Sequence, residues 1–313
     1  MKSRLQINPR LALVLLVVAL AASLNFTPFV ATLASASAQD PASCLELVRA
    51  TVANEVAANN SSLMKHMFRS DKQTPQGSQT RLYVETREAI VGMTIAHDNK
   101  RLTQQDMQAE ENRLTGLAGN AEQLKRKHAQ EQENADRTLR IVKALPDAFL
   151  YQYDGEEPAE GGPSDVPWVR LKFRPNPAYQ PPTHAEQVLV GMQGVLVIDP
   201  VARRIAKIDG TLFKEVEFGW GILGHLDKGG HFLVEQRDVG NDCWEVTHMS
   251  LNFNGKILMF KTISIKSDEV FTDFQRVPDG TTFAQGVQML EAEEAKLAQN
   301  RVAETIKSEN KPH

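Results

Sequence analysis

The sequence has little that would indicate a disulfide scaffold or a nucleic-acid-binding protein. Only two of its 313 residues are cysteines, too few for a disulfide-dense fold or a four-cysteine zinc site. Its 39 acidic and 35 basic residues give a formal net charge of −4. An acidic chain lacks the basic face that binding to nucleic acid requires, so we expect no nucleic-acid partner.

The familiar catalytic motifs are also missing. The chain has no Gly-x-Ser-x-Gly elbow, no phosphate-binding loop, no His-Glu-x-x-His pair and no dinucleotide fingerprint. Their joint absence favours a protein that is not an enzyme, and we expect no cofactor.

The first 38 residues have the pattern of a secretory signal peptide. Basic residues up to Arg10 precede fourteen apolar or small residues, and small residues then lead to Ala38. This order is typical of a signal that is cleaved, here after Ala38. The alternative is a membrane anchor, but fourteen helical residues rise only roughly 21 Å against a hydrocarbon core of roughly 30 Å. We expect a periplasmic or extracellular protein with no transmembrane anchor after cleavage.

An oxidising compartment would allow the two cysteines to pair. Cys44 and Cys243 are the only candidates for a disulfide. Closing so long a loop contributes roughly 4–5 kcal/mol in the chain-entropy account. The alternative is two separately buried thiols, because cysteine also packs as a small apolar residue.

The first part of the mature chain combines a helix, strands and a charged helical insert. Apolar residues at three- and four-residue steps predict a helix over 44–58, and β-branched and aromatic residues predict strands within 80–97. The insert at about 100–144 starts at a Thr103 cap, and Gly116 and Gly119 divide it. Its thin apolar stripe favours solvated surface helices. The functional alternative is a lid across one end of a sheet.

Most of the sheet is predicted in the second half of the chain, where short turns require antiparallel pairing. Segments 154–167 and 175–182 are rich in Pro or Gly and predict loops. Asn254-Gly255 lies between two strand patterns and predicts a tight hairpin. The predicted strands are 188–198, 203–209, 212–218, 231–239, 243–253, 256–265 and 270–276.

Apolar residues fall on both faces of the predicted strands 243–253 and 256–265. A sheet that is wet on one side alternates more cleanly. We therefore expect the second face to be covered by helices or to surround an apolar ligand. The candidate ligand contacts are the large apolar residues Trp220, Phe232, Trp244, Leu258 and Phe260.

Histidines and carboxylates cluster between residues 225 and 248. Imidazole and carboxylate suit zinc and similar ions, and the candidate ligands are His225, His231 and His248. Their spacing matches no established metal signature, and polar residues are common in hairpins. We therefore expect no metal, and a metal-dependent hydrolase is the least favoured function.

A last helix is predicted from Phe283 to about Lys307, before a polar tail. The chain shows no internal repeat and no domain linker. We expect a signal peptide at 1–38, a single β-rich domain at 39–280, and a C-terminal helix and tail at 281–313.

This order of elements resembles the LolA-like family, which includes periplasmic lipoprotein carriers and outer-membrane lipoprotein-sorting proteins. The resemblance lies in the strand Gly194–Asp199, the following strand Arg203–Ile208 and the strand Lys256–Ile265. It implies an α+β fold, mainly of antiparallel strands, in which helices cover a curved, half-open, barrel-like sheet that binds acyl chains. The helices near 44–58 and 103–144 would then be lids.

The chain departs from the carriers in its charged insert and its C-terminal helix, and no functional residue of the family is carried over. The expected function is an exported, non-enzymatic protein that binds lipid or lipoprotein acyl chains. The alternative is an envelope interaction or sensor module of the same fold, with an envelope protein as partner and a core filled by its own side chains.

Overall fold

The computed structural model describes residues 40–61, 64–160, 165–219, 223–257 and 261–309. The predicted signal peptide lies outside these residues. Contacts divide the chain into two compact units, each built from two stretches of sequence. Among the described residues, unit 1 holds those from 40 to 61 and from 133 to 269, and unit 2 holds those from 64 to 132 and from 270 to 309.

The described residues form five helices and thirteen strands, and every strand pair with a defined register is antiparallel. The helices are α1 (Pro41–Ser61), α2 (Gln104–Ala118), α3 (Ala121–Ala148), α4 (His184–Gln187) and α5 (Phe283–Glu309). The first strands are β1 (Lys65–Thr74), β2 (Gly77–Glu85), β3 (Ile90–His97), β4 (Lys100–Arg101), β5 (Phe149–Glu157) and β6 (Trp168–Pro175). The remaining strands are β7 (Met192–Asp199), β8 (Arg204–Leu212), β9 (Val216–Phe218), β10 (Gly224–Leu226), β11 (His231–Asp238), β12 (Trp244–Ile257) and β13 (Lys261–Val277).

The sheet of unit 1 has the order β13-β12-β11-β8-β7-β6-β5, and β9 and β10 form a side branch on β12. Part of β12 alternates between buried and accessible residues, whereas Leu196, Val197 and Ile198 of β7 are all buried. Along β12, Met249, Leu251 and Phe253 are buried, whereas Ser250 and Asn252 are not. The expectation of apolar residues on both faces placed Trp244 opposite Met249 and Leu251, and Trp244 is buried in a separate cluster with Trp168 and Val197. A register shift between Glu235 and Gln236 of the neighbouring β11 breaks the simple alternation on which that expectation relied.

The Asn254-Gly255 pair is not a hairpin, because β12 runs through it to Ile257. A Cβ atom on Gly255 would lie 2.2 Å from the carbonyl oxygen of His225. Glycine is required there because the backbone of β10 approaches β12 closely. The turn signal in the sequence thus marks a close contact between strands.

Three other predicted boundaries differ from the structure. The loop predicted at 154–167 begins only after Glu157, because β5 continues to that residue. The strand passes through a register shift around Gly155, whose φ is 107°. Of the strand predicted at 256–265, residues 256 and 257 end β12, and residues 261–265 form one strand, β13, with the strand predicted at 270–276. The strand predicted from residue 188 starts at Met192, after a 3₁₀ turn.

Helix α1 is attached to unit 1 by polar contacts at its C-terminal end. Glu55 accepts two hydrogen bonds of 2.9 Å from the Arg204 guanidinium and one of 2.8 Å from the backbone N–H of Ile205. The side chains of Glu55 and Arg204 are each only 11% exposed. Asn54 donates to the carbonyl oxygens of Ala202 and Arg203. These bonds fix α1 against the start of β8.

We predict that Glu55→Ala lowers the free energy of unfolding by about 3 kcal/mol, because it leaves the nearly buried Arg204 charge without its carboxylate. Chemical denaturation of the purified protein measures this loss. The control is Glu133→Ala, since Glu133 is 53% exposed in its pair with Arg137 and should contribute less than about 1 kcal/mol. Equal losses for the two variants would contradict the prediction.

The sheet of unit 2 has the order β4-β3-β2-β1-β13 and is covered by helices on its apolar side. The C-terminal helix α5 is part of this core. The buried apolar residues are Met67, Leu82, Val84, Ala89, Val91, Met93, Ile95, Leu114, Val277, Phe283, Val287 and Leu290. No helix in the described part of the chain is both long enough and apolar enough to cross a lipid bilayer.

Helix α5 approaches the sheet most closely at Gly286. A Cβ atom there would lie 2.7 Å from the methyl group of Thr86 and 2.9 Å from a methyl group of Val91. We predict that Gly286→Ala destabilises the protein by about 1 kcal/mol or more, because overpacking outweighs the gain in helix propensity.

The matched control for Gly286→Ala is Gly116→Ala in α2, where an added Cβ would meet nothing within 4 Å. This variant should gain up to about 1 kcal/mol from helix propensity. Denaturant unfolding of both variants tests the sign of each change in the free energy of unfolding. A stabilised Gly286→Ala would show that α5 is not held this tightly.

Candidate functional site

The structure does not bring the three predicted histidine ligands together. In the described ranges, each cluster of three or more ligand atoms contains at most one of them. Each histidine instead faces a different aspartate at 2.8–3.2 Å: His225 faces Asp227, His231 faces Asp209, and His248 faces Asp268.

One cluster joins His225 to two carboxylates, including Glu215, which the sequence interpretation missed. The ligand atoms of Glu215, His225 and Asp227 lie within 4.8 Å of one another. Glu217 lies opposite His225 in the β9–β10 ladder, so these four side chains share one face by alternation. Such a set can hold a divalent cation. Its signal in the sequence was Glu-x-Glu at the start of β9 and His-x-Asp at the end of β10, with Glu215 just before β9 and Asp227 just after β10.

Two of the five predicted apolar ligand contacts, Phe232 and Trp244, lie within the described residues. Trp220, Leu258 and Phe260 lie outside the described residues. Phe232 packs over Gly210, where a Cβ atom would lie 2.3 Å from its ring. Trp244 packs in another cluster, with its ring centroid 6.2 Å from that of Trp168.

The two cysteines are buried, and the structure has them as thiols. Burial raises the pKa of the Cys44 thiol, which makes it a poor nucleophile at neutral pH. The bridge between Cys44 and Cys243 stays a prediction.

The helix-covered face of unit 2 is rich in methionine. Met67 and Met93 are buried in the sheet, and Met107 of α2 and Met289 of α5 pack against them partly exposed. Methionine side chains are unbranched and polarizable, so they can repack around an apolar guest. No periodicity in the sequence pointed to this set, because its members come from four separate elements.

A pocket of about 400 Å³ opens beside this face, at the start of α2. An ion pair between Arg101 and Glu294 lies at its wall. The lining residues are Arg101, Leu102, Gln104, Met107, Gln108, Glu111 and Glu294. The lining thus combines charged and amide side chains with two apolar ones, Leu102 and Met107.

The two covering helices are attached to the sheet in different ways. Helix α5 buries Phe283, Val287 and Leu290, and the backbone N–H of Phe283 donates to Glu88 at 2.8 Å. Helix α2 has one buried residue, Leu114. Helix α2 is therefore the one that can lift from the sheet at lower cost.

Two charged side chains of α2 contact the backbone of β3. Glu110 accepts a hydrogen bond of 2.8 Å from the Thr94 N–H, and Arg113 donates one of 2.8 Å to the Gly92 carbonyl oxygen. Arg113 also donates to Glu110 at 2.7 Å. Burial opposes ionisation of Glu110, but the bonds from Arg113 and Thr94 outweigh it and lower the pKa of this carboxyl.

We predict that Glu110 stabilises the protein in a pH-dependent way. A carboxyl whose folded pKa is lowered contributes fully above its ordinary value of 4.5 and loses its contribution as the pH falls below that value. Glu110→Gln should therefore lower the unfolding free energy by about 1–2 kcal/mol at pH 7, and the deficit should shrink towards pH 3. Urea titrations from pH 3 to 7 measure it.

The control for this titration is Glu111→Gln, because the Glu111 carboxylate bonds Gln108 on its own helix. We expect no comparable pH-dependent deficit for this variant. A deficit for Glu110→Gln that stays constant over the whole range would contradict the prediction.

Comparisons with known proteins identify no family. The chain matches no protein-family model and no curated protein sequence. Among solved structures, a DUF1329 family protein from Desulfovibrio piger is a distant neighbour, with 9% sequence identity and a TM-score of 0.26. The match covers 78% of this chain and 98% of that one. At this distance it carries no argument about fold or function, which rest on the chain itself.

Proposed function

We propose that this chain is an exported, non-enzymatic binding protein with the LolA-like architecture, and that it holds lipid or lipoprotein acyl chains in unit 2. The observation that carries the proposal is the methionine-rich apolar face of unit 2, which α2 and α5 cover together. Of these two helices, α2 contributes a single buried residue, Leu114.

The ligand is an amphiphile with one extended chain. Its tail would replace contacts between α2 and the sheet, where Met93 and Met107 can change conformation around it. Each buried methylene contributes about 0.8 kcal/mol, so roughly ten methylenes give about 8 kcal/mol before the cost of ordering the chain. The polar head would lie at the pocket, where Arg101 can exchange its contact with Glu294 for an anionic group.

A second candidate is supported by the packing of the same core. Val84, Met93 and Leu290 are completely buried, as expected for a face filled by its own side chains. In that case the chain is an envelope interaction or sensor module. The two candidates differ in whether α2 exchanges places with a ligand.

The test begins with the full chain expressed for export in a Gram-negative host. Mature protein from the periplasm should begin at Gln39, and its organic extract should contain an amphiphile detectable by lipid mass spectrometry. Titration with a fluorescent fatty acid should show saturable binding. Material that carries no amphiphile and takes up no fatty acid would reject the proposal and favour the filled module.

Two variants test whether the fatty acid binds in unit 2. Met107→Asp puts a charge on the partly buried face of α2 and should weaken fatty-acid binding at least tenfold. Val201→Asp introduces the same charge in unit 1 at a residue that is 57% exposed and should leave binding unchanged. Equal affinities for the two variants would place any binding elsewhere.

A further inference from the structure

The outer edge of β3 is covered by side chains rather than by a strand. Strand β3 pairs with β2 from Ile90 to His97, whereas β4 pairs with it only at Ala96 and His97. Residues 90–94 would therefore present open backbone groups on the side away from β2. Such an edge is a template for pairing with another chain.

Helices α2 and α3 satisfy these backbone groups one after another. Glu131 accepts from the Ile90 N–H at 3.2 Å, Arg113 donates to the Gly92 carbonyl oxygen at 2.8 Å, and Glu110 accepts from the Thr94 N–H at 2.8 Å. Alternate residues of an antiparallel strand present their backbone groups to the same side. The three side chains therefore occupy the positions that a neighbouring strand would take.

We propose that residues 104–132 guard this edge, and that β3 is a docking site for β3 of a second copy of this chain when the helices lift. The three guarding side chains, Glu110, Arg113 and Glu131, are called the edge guard below. They keep the strand closed to partners while α2 is in place.

The chemistry of the strand favours a second copy as its partner. An antiparallel pair centred on Gly92 places position 90 of each copy opposite position 94 of the other, so the edge is complementary to itself. Glycine at the centre brings no side chain into the contact. The strand Ile90–His97 contains no proline, lysine or acidic residue, the usual devices that protect an edge. Its protection therefore comes from side chains of other elements, which are the edge guard and Arg81 of β2, a second donor to the Gly92 carbonyl oxygen at 3.3 Å.

This inference does not depend on acyl-chain binding. It requires only that the edge guard lose its bonds to β3, whatever lifts the helices. A chain that binds no amphiphile could still pair through β3, and a chain that binds one could stay monomeric.

The test removes the edge guard from the full chain with the triple variant E110A/R113A/E131A. Alanine keeps helix propensity high, so the helices should still form. Size-exclusion chromatography with light scattering should show a monomer for the wild type and at least tenfold stronger self-association for the variant. The control E122A/K125A/R126A changes three exposed residues of α3 and should behave like the wild type.

A fourth substitution tests whether the self-association uses the edge of β3. The Thr94 N–H points to Glu110 and away from β2, so adding Thr94→Pro removes an outward donor without breaking the β2–β3 ladder. It should return the triple variant to a monomer. A dimer that persists with Thr94→Pro, or a folded triple variant that stays as monomeric as the wild type, would overturn the proposal.

If the triple variant does not fold, a second measurement tests the proposal. Amide hydrogen exchange at Ile90 and Thr94 should be faster in the single variant Arg113→Ala than in the wild type at low protein concentration. It should slow again at high concentration, as the edges pair. Exchange that does not depend on protein concentration would count against pairing through β3.

Discussion

Burial of one sheet face under α5 is the contact on which unit 2 depends. Strands β1 to β3 present a continuous apolar surface, and Phe283, Val287 and Leu290 of α5 cover it. Burying side chains of this size stabilises by about 1.5–3 kcal/mol each. The contact is close because position 286 has no side chain. Helix α2 only extends a cover that α5 has already fixed, which leaves it able to move.

Charges in the helical insert have a role that a sequence pattern does not show. A segment rich in Glu, Gln, Lys and Arg is normally a solvated surface, and for residues such as Glu122 the structure agrees. Glu110, Arg113 and Glu131 instead bond the backbone of β3. Composition cannot separate the solvated charged residues from those that bond β3. Which charged residues reach the strand depends on the register between helix and strand.

The parts of the fold that could be predicted are those with local signals. The antiparallel strands, the Thr103 cap of α2 and the helix break at Gly119 are all confirmed. Strand β1 was missed because its charged residues, including Lys65 and Asp71, hide the alternation of strands. Glycines are ambiguous signals for a related reason. A glycine that is required because another strand approaches closely looks the same in the sequence as a glycine that is required by a turn.

The candidate sites depend on contacts between distant parts of the chain, which explains why the sequence did not show them. The methionines of unit 2 come from four elements. The partners of the β3 edge are 16, 21 and 41 residues away from the groups they bond. Glu215 approaches His225 only because β9 and β10 pair. Each relation is set by topology, so no spacing within one segment predicts it.

The chain order of unit 2 has a consequence for biosynthesis. Its strands β1 to β4 are made long before α5, which covers them, and the bonded residues Glu88 and Phe283 are 195 positions apart. A ribosome or a translocation pore releases the chain from its N-terminus, so the apolar strands emerge long before their cover exists. The nascent chain therefore carries an uncovered, pairing-prone sheet for most of its synthesis, and a holding chaperone would have its longest contact with these strands.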